Sequence, residues 1–537
     1  MRTAHAVADV RAAERALMAK VPEGALMQRA AAGLAAICAS LLDGVYGARV
    51  VVLAGSGDNG GDALYAGARL ASRGADVIAI AAGAHLHQAA AAELVARGGR
   101  VTAAAGQGGQ AGQGGPGSQG GQADEADRGG EAGLGGEAGR RDGIVPAAWS
   151  AIGTADLIID GLTGIGGHGG LREPAAALAR ITARARADGT VVVAADLPSG
   201  IEADSGEVHG EAIHADVTVT FGTIKPGLLI DPGASCAGPV ELIDVGLGPY
   251  LPDPAVISLQ AADVAAVLPR PSAESDKYRR GVLGLVAGSE QYTGAAVLSA
   301  GGAIRGGAGM VRLVSAAAAV DVVRQHWPEA VLTTYDPARP AQAVETAGRV
   351  QAWAAGPGIG TGSEAHDLLA AVLASDVPVL IDADGLTVLA AHRDLLPRHP
   401  PTVITPHAGE LARLLDADRA DIEARRLHYA RAAAAELGIT VLLKGSTTLI
   451  AQPEPARPVL VNSTGSSWLA TAGSGDVLSG LTGALLAQGL RPADAAAAAA
   501  YLHGMAGRLA ARDAPIGASD LLGAIPAAIR AVTSEDH

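Results

Sequence analysis

Between residues 441 and 480 the sequence places a lysine, a run of hydroxyl side chains and an aspartate in two glycine-containing turns. The first, Lys444-Gly445-Ser446-Thr447-Thr448, ends the apolar run 441–443. The second, Thr471-Ala472-Gly473-Ser474-Gly475-Asp476, runs into the apolar stretch 477–486, which reads as a helix. A glycine turn opening a helix leaves unpaired backbone N–H groups at the positive helix end, a setting suited to phosphate. A carboxylate at its mouth, Asp476, could take a proton from a hydroxyl that attacks a phosphoryl group. Alone, Gly-Ser-Gly-Asp is more often a capping pattern, a C-cap glycine and an N-cap aspartate. The second donor-rich turn shifts the balance towards phosphate.

A second constellation lies in the first half. Gly55-Ser56-Gly57-Asp58-Asn59-Gly60-Gly61-Asp62 follows a strand-like run at 50–53 and precedes a helix expected from residue 63 to about 73. The spacing satisfies GxGxxG, a dinucleotide-binding turn. The end of the next strand, Ala81-Ala82-Gly83, lacks an acidic residue to hold a ribose, and no lysine follows as in a P-loop. Three later strand ends fall on the same expected sheet edge: Asp160-Gly161-Leu162-Thr163-Gly164-Ile165-Gly166, Asp196-Leu197-Pro198-Ser199-Gly200 and Phe221-Gly222-Thr223-Ile224-Lys225-Pro226-Gly227. Each alone is an ordinary turn. Four on one edge, where α/β sheets bind ligands, favour a site.

The elements that must carry these residues alternate strand with helix. Residues 1–42 read as two helices broken near Pro22-Glu23-Gly24. Strands are expected at 50–53, 77–81, 101–104, 157–160, 191–196 and 217–221. In the second half they are expected at 282–287, 311–314, 352–355, 379–382, 403–405 and 441–444. This predicts an α/β fold with parallel, doubly wound sheets. At 537 residues the chain exceeds one ordinary domain. The proline-rich stretch 249–271 places a boundary near Tyr250, giving domains 1–249 and 250–537. Residues 106–142 are rich in Gly, Gln, Ala and Glu, with one leucine and no aromatic. They are expected to be a disordered surface insertion within the first domain, removable without loss of the fold.

Composition excludes several classes. Apolar residues make up 49 % and aromatics 2 %, so cores must be built from Ala, Val and Leu. No strongly apolar run is long enough to span a membrane, and residues 1–30 lack a signal-peptide core. Two cysteines, Cys38 and Cys236, form no disulfide framework and fit a reducing cytoplasm. A formal charge of −15 argues against a nucleic-acid or anionic-membrane binder.

The pairing of KGSTT with GSGD resembles the ribokinase-like superfamily, and most closely its ADP/ATP-dependent NAD(P)H-hydrate dehydratases. Tyr292-Thr293-Gly294-Ala295-Ala296, Gly306-Gly307-Ala308-Gly309, Gly356-Pro357-Gly358-Ile359-Gly360, Asp382-Ala383-Asp384-Gly385-Leu386 and Thr405-Pro406-His407-Ala408-Gly409-Glu410 follow that family's order over roughly 275–530. The resemblance implies that Ala295, Gly358, His407 and Asp476 face the hydrated nicotinamide nucleotide, with Asp476 catalytic. Lys444, Gly445, Ser446, Thr447, Thr448 and Gly475 would hold the phosphodonor, ADP or ATP, with Mg²⁺. Arg280-Gly281 stands where the family usually has Lys-Gly, and Thr387 where it usually has Asn.

Residues 1–247, apart from the insertion, resemble the NAD(P)H-hydrate epimerase domain, a Rossmann-like unit with the pattern GxGNNGGDG, DxLxGTG, DxPSG and TFxxxKxG. Carried across, Asn59, Asp160 and Ser199 match its potassium ligands. Asp58, Asn59, Gly60, Gly61 and Asp62, the loop Gly164, Ile165, Gly166, Gly167, His168, Gly169 and Gly170, and Asp196 match its substrate-binding positions. Asp196 is the expected acid–base group. Asp58 replaces the usual Asn. Together the halves imply epimerisation of R and S hydrates of NADH or NADPH, followed by nucleotide-dependent dehydration of the S form. A homo-oligomer is expected, with small molecules as partners. Two alternatives remain open: a small-molecule kinase using the same aspartate, and a non-catalytic binding module in the first half.

Overall fold

The computed structural model describes residues 1–83, 85–105, 143–396 and 398–534. The insertion expected at 106–142 lies outside the described residues; its flanks, Ala105 and Ile144, meet in an isolated antiparallel bridge.

Strand β1 (Arg2–Ala4) opens the chain, and two helices follow, Val7–Met18 and Ala25–Leu41. The first sheet contains β2 (Arg49–Ala54), β3 (Asp76–Ala81), β4 (Arg100–Ala103), β5 (Leu157–Gly161), β6 (Val191–Ala195), β7 (Val217–Phe221) and β8 (Val240–Ile243). Their order is β4-β3-β2-β5-β6-β7-β8, and each pairing is parallel. Successive residues of β2 point to opposite faces: Val50, Val52 and Ala54 enter one core, Val51 and Leu53 the other. A strand buried on both sides must be apolar throughout, which is why these runs do not alternate in the sequence. The order reverses between β2 and β5, so their carboxyl ends diverge into a crevice.

The second sheet is larger. Its parallel centre comprises β10 (Val282–Val286), β11 (Met310–Ser315), β12 (Val331–Thr334), β13 (Ala352–Ala355), β14 (Val379–Ile381), β15 (Thr402–Ile404) and β16 (Thr440–Leu443). Three further strands extend it beyond β16: β17 (Thr448–Ala451), β18 (Val459–Asn462) and β9 (Val256–Ser258). Strand β1 then pairs antiparallel with β9, so residues 2–4 complete the edge of the second sheet. The halves also share a core. Leu197, Ile201, Leu228 and Ile230 of the first half pack in one cluster with Ile381, Val441 and Leu449 of the second.

The expected α/β fold is met, and the two helices near the start are found with a strand before them. Strands β1, β8, β9, β12, β17 and β18 were not expected. Each has three or four residues, and β17 begins inside the turn at 444–448. The helix expected from residue 63 begins at Asp58 instead, so Asp58–Asp62 form its first turn. Among the described residues no helix is long and apolar enough to cross a membrane.

Candidate functional site

In the first sheet the four expected turns lie on adjacent strands β2, β5, β6 and β7, and their side chains meet. Asp160, at the end of β5, is fully buried. It accepts hydrogen bonds from Ser199 N–H at 2.7 Å, Ser199 Oγ–H at 2.7 Å and Leu162 N–H at 3.2 Å. Burial nevertheless pushes its carboxyl up to about 6. Asn59 Nδ2 donates to Thr163 O at 2.8 Å, while the buried Asn59 Oδ1 finds no protein partner. Thr163 N–H donates to Ser199 Oγ at 2.9 Å, closing the ring.

Asp196 stands immediately after β6 with φ 66°, a left-handed conformation that costs a non-glycine residue free energy of order 1–3 kcal/mol. Its Oδ1 receives a short hydrogen bond from Lys225 Nζ and a longer one from Thr220 Oγ1 at 3.2 Å. Lys225 also donates to Thr220 Oγ1 and to Phe221 O, each at 3.1 Å, so its ammonium is satisfied inside the core. Asp62 adds a buried Oδ1 with no partner. Burial, then the nearby charges of Asp196, Asp58 and Glu14, raise the Asp62 carboxyl well above its ordinary range. Glu14, on the helix Val7–Met18, is raised too, chiefly by burial. Asp58 is exposed.

The loop at 164–170 runs beside Asn59. A Cβ on Gly164 would lie 3.0 Å from Asn59 Cβ, and one on Gly166 would lie 3.3 Å from Arg11 Nη2. Ile165 packs beneath the N-terminal helices, and Gly167 N–H turns back to Gly164 O. Glu202 holds the outer part of the loop, accepting from Gly169 N–H at 2.8 Å and pairing with the exposed His168 at 2.9 Å. Gly60 and Gly61 lie buried in the first helical turn, and a Cβ on Gly60 would meet Gly55 O at 2.3 Å. Gly170 packs its α-carbon against the His209 carbonyl.

The second site is a cleft of about 790 Å³. Lys444, Gly445, Ser446 and Thr448 line it from the β16–β17 hairpin, Gly475 and Asp476 from the helix Ser474–Ala487, and His407 from the turn after β15. Gly473 before that helix has φ 86°, which turns the chain so that the first helical N–H groups and Asp476 face the opening. No side chain among the described residues hydrogen-bonds the Asp476 carboxylate. Burial and the neighbouring Asp382 raise it to about 7, against the opposing charge of Lys444. Lys444 Nζ donates to Asp382 Oδ1 at 2.7 Å and lies 3.6 Å from Glu410 Oε2. Burial alone would lower the pKa of this ammonium; Asp382 and Glu410 raise it instead. The other oxygen of Asp382 receives a short hydrogen bond from Ser479.

His407 caps the helix Ala408–Leu415: its Nδ1 accepts from Gly409 N–H at 3.0 Å and Glu410 N–H at 3.2 Å. Burial lowers its pKa. Ala295 and Gly358 sit one sheet position further on, against each other, where a Cβ on Gly358 would fall 2.7 Å from that of Ala295. They lie outside the cleft wall but at the carboxyl ends of the neighbouring strands β10 and β13. Thr447 also lies outside the cleft wall. It is buried, accepts from Asp231 N–H at 3.1 Å, and donates its own N–H to Asp231 Oδ2 at 3.0 Å.

Sequence reasoning missed Glu14, Ser479 and His503. Ser479 stands three residues after Asp476, on one helical face, and that spacing was available. The neutral His503, lowered to about 4 by burial, lies 2.9 Å from Ser474 O and braces the turn from the helix Pro492–Ala511. Nothing in the sequence near residue 14 connects it to residue 62.

Comparison with known proteins bears on both halves. Residues 283–527 match the family model described as NAD(P)H-hydrate dehydratase, and residues 23–227 match that of the YjeF-related protein N-terminus. The chain is 43 % identical to the bifunctional NAD(P)H-hydrate repair enzyme Nnr of Mycobacterium leprae, over 99 % of this chain and 100 % of that one. It is 33 % identical to the protein of the same name from Corynebacterium glutamicum, over 98 % of each. Among solved structures, the ADP/ATP-dependent NAD(P)H-hydrate dehydratase of Bacillus subtilis, co-crystallised with ATP and Mg²⁺, is 31 % identical. It covers 51 % of this chain and 97 % of its own, with a TM-score of 0.47. Similar from end to end to relatives that carry both halves, the chain belongs to the family of bifunctional NAD(P)H-hydrate repair enzymes.

Proposed function

We propose that the chain repairs hydrated nicotinamide cofactors, interconverting the R and S hydrates of NADH and NADPH in residues 1–249 and dehydrating the S hydrate at the expense of ADP or ATP in residues 250–537. The observation that carries this reading is the Asp476 carboxylate, without a side-chain hydrogen bond among the described residues and raised to about 7 at the start of a helix, facing a cleft that also displays Lys444 and the hairpin hydroxyls. A base poised near neutrality at a helix N-terminus suits proton removal from a hydroxyl as it attacks phosphorus.

In the dehydratase half, Asp476 takes the proton from the ring hydroxyl of the S hydrate. The oxygen–phosphorus bond forms as the donor's terminal phosphate leaves its nucleotide, giving AMP from ADP. Phosphate then departs with the loss of a neighbouring ring proton, and the double bond returns. Lys444 and the N–H groups around Gly475 stabilise the transferring charge. Ser446, Thr448 and Gly445 border the donor, with Thr447 supporting the turn, while His407, Ala295 and Gly358 border the nicotinamide nucleotide. Asp382 and Glu410, whose carboxylates line the cleft, would hold magnesium brought with the phosphates, and the ion would supply charge neutralisation there.

In the epimerase half, Asp196 is the acid–base group and Lys225 tunes and holds it. Asp58, Asn59, Gly60, Gly61, Asp62 and the loop at 164–170 bind the hydrate. Potassium fits Asn59, Asp160 and Ser199: the unpartnered Asn59 Oδ1 and the buried Asp160 carboxylate call for positive charge, and such oxygens suit a weakly bound hard ion. Bound there, the ion supplies fixed positive charge beside the substrate.

The test is recovery of reduced-nicotinamide absorbance from an R/S mixture of hydrated NADH, with magnesium and potassium, and with ADP, ATP or neither. Full recovery with one nucleotide is the expected result. Recovery of the S fraction alone would remove the epimerase assignment. A phosphorylated product that persists would replace dehydration with kinase chemistry.

A further inference from the structure

The turn at 444–448, on which the phosphodonor reading rests, is not held by its own domain alone. From below, Arg426 Nη2 donates to Lys444 O and to Thr447 O, each at 3.0 Å. A Cβ on Gly445 would lie 2.3 Å from the same nitrogen, so the glycine admits the guanidinium beneath the turn. From the side, Asp231 reaches across from the first half. Its Oδ2 receives a short hydrogen bond from Ser446 Oγ–H and another from Thr447 N–H at 3.0 Å, while its own N–H donates to Thr447 Oγ1 at 3.1 Å.

Asp231 is itself firmly placed. Ile230, immediately before it, is fully buried in the core shared by both halves, with Leu228 at 3 % exposure. Six residues earlier stands Lys225, the partner of Asp196. One short segment, turned by the 3-10 helix Pro226–Leu228, therefore begins in the epimerase site and ends on the dehydratase hairpin. A second bridge, between Arg425 and Glu207 at 3.6 Å, flanks it.

We propose that Asp231 is a positioning residue for the dehydration reaction: the N-terminal half, through this carboxylate, fixes the Ser446-Thr447 turn in the shape that receives the phosphodonor nucleotide. A four-residue turn between antiparallel strands, exposed at Gly445 and Ser446, has several accessible shapes, and acceptors at its flank select one. The role is distinct from catalysis because Asp231 stands behind the turn and does not line the cleft. This inference rests on the reading of the hairpin as the donor site.

The experiment measures dehydration kinetics of the full chain with ADP varied, beside the rate of R-to-S exchange. Asp231→Ala removes the acceptor and raises the nucleotide KM about tenfold, the scale expected for losing hydrogen bonds to a carboxylate. It changes kcat less than threefold and leaves exchange unchanged. Asp231→Asn, whose amide oxygen can replace Oδ2, restores a KM close to that of the unaltered chain. Should Asp231→Ala fail to fold, Asp231→Glu replaces it: the carboxylate is kept but displaced by one methylene, so KM rises while Asn still rescues. An unchanged nucleotide KM in the folded Ala or Glu variant overturns the proposal, even if thermal stability falls, because a purely structural latch would move stability alone. Failure of the unaltered chain to restore NADH from the S hydrate with either nucleotide overturns the donor-site reading, and this inference with it.

Discussion

Both sites are built on a lysine–aspartate pair at strand carboxyl ends, and both place a strained residue there, Asp196 with φ 66° and Ala383 with φ 50°. They differ in where the pair points. The Lys225 side chain is 2 % exposed and spends its three donors on Asp196, Thr220 and Phe221. The Lys444 side chain is 20 % exposed, sits between Asp382 and Glu410, and faces the cleft with Asp476 beside it. The first pair belongs to the core and orients one carboxylate; the second is displayed to a ligand. The free groups differ correspondingly. Acceptor oxygens on Asn59 and Asp62 stay unpaired in the first site, which therefore seeks cations or donors. In the second, the Asp476 carboxylate, raised to about 7, lines the cleft at the first turn of a helix, an arrangement for moving a proton near phosphate.

The largest expected effect is on activity. Asp476→Ala lowers the dehydration rate by about 10²–10⁴, the range for a lost general base, while R-to-S exchange followed by NMR stays intact. Loss of both activities would break the division between the two sites. Next comes the contrast between the lysines. Lys225→Met leaves Asp196 buried without its cation and destabilises the fold by about 3–5 kcal/mol, read by denaturant unfolding. Lys444→Met costs less stability, because Asp382 keeps its hydrogen bond from Ser479 and Glu410 keeps that from His407 N–H, and abolishes dehydration. Equal stability losses would erase the distinction between core pair and displayed pair.

The titration of Asp476 sharpens the comparison further. A base raised to about 7 makes kcat/KM for dehydration climb as pH rises through that value. Its folded pKa lies above the unfolded one, so the stability it contributes is complete at low pH and is lost as pH rises from about 4 through 7. Asp476→Asn does not ionise, so its melting temperature should exceed that of the unaltered chain at pH 8 and match it more closely at pH 5. The smallest effect belongs to Glu14. Its carboxyl is also raised, so Glu14→Gln relieves repulsion near Asp62 and stabilises the chain slightly at pH 8, with no gain at pH 4. A stability loss at both pH values would show that Glu14 is held by attraction instead.

Much of this arrangement was legible in the chain. Long apolar runs announced the central strands, because a strand covered on both faces has no polar positions to hide. Residues at the ends of those strands therefore fall on one edge from the sequence alone. What escaped has a common cause. Strands at the sheet edges such as β1, β8 and β12 have exposed positions and so no continuous apolar run, and Thr448 reads as part of a turn although it starts β17. Interactions between distant segments, such as the charge of Glu14 on Asp62 or the hydrogen bond between Asp231 and Ser446, leave no local trace. Thr447 shows the limit within a motif: it shares the turn and the Asp231 carboxylate with Ser446, yet it is buried and stays out of the cleft wall that Ser446 lines.

The strand at Arg2–Ala4 has a consequence for the order in which the molecule is made. Its partner, Val256–Ser258, leaves the ribosome about 250 residues later, and at roughly 5–20 residues per second that gap lasts on the order of tens of seconds. β9 is in turn seated against Val459–Asn462, made later still. Residues 2–4 are thus made long before their place in the second sheet exists, and β1 stays without its partner strand until β9, and then β18 beside it, have emerged.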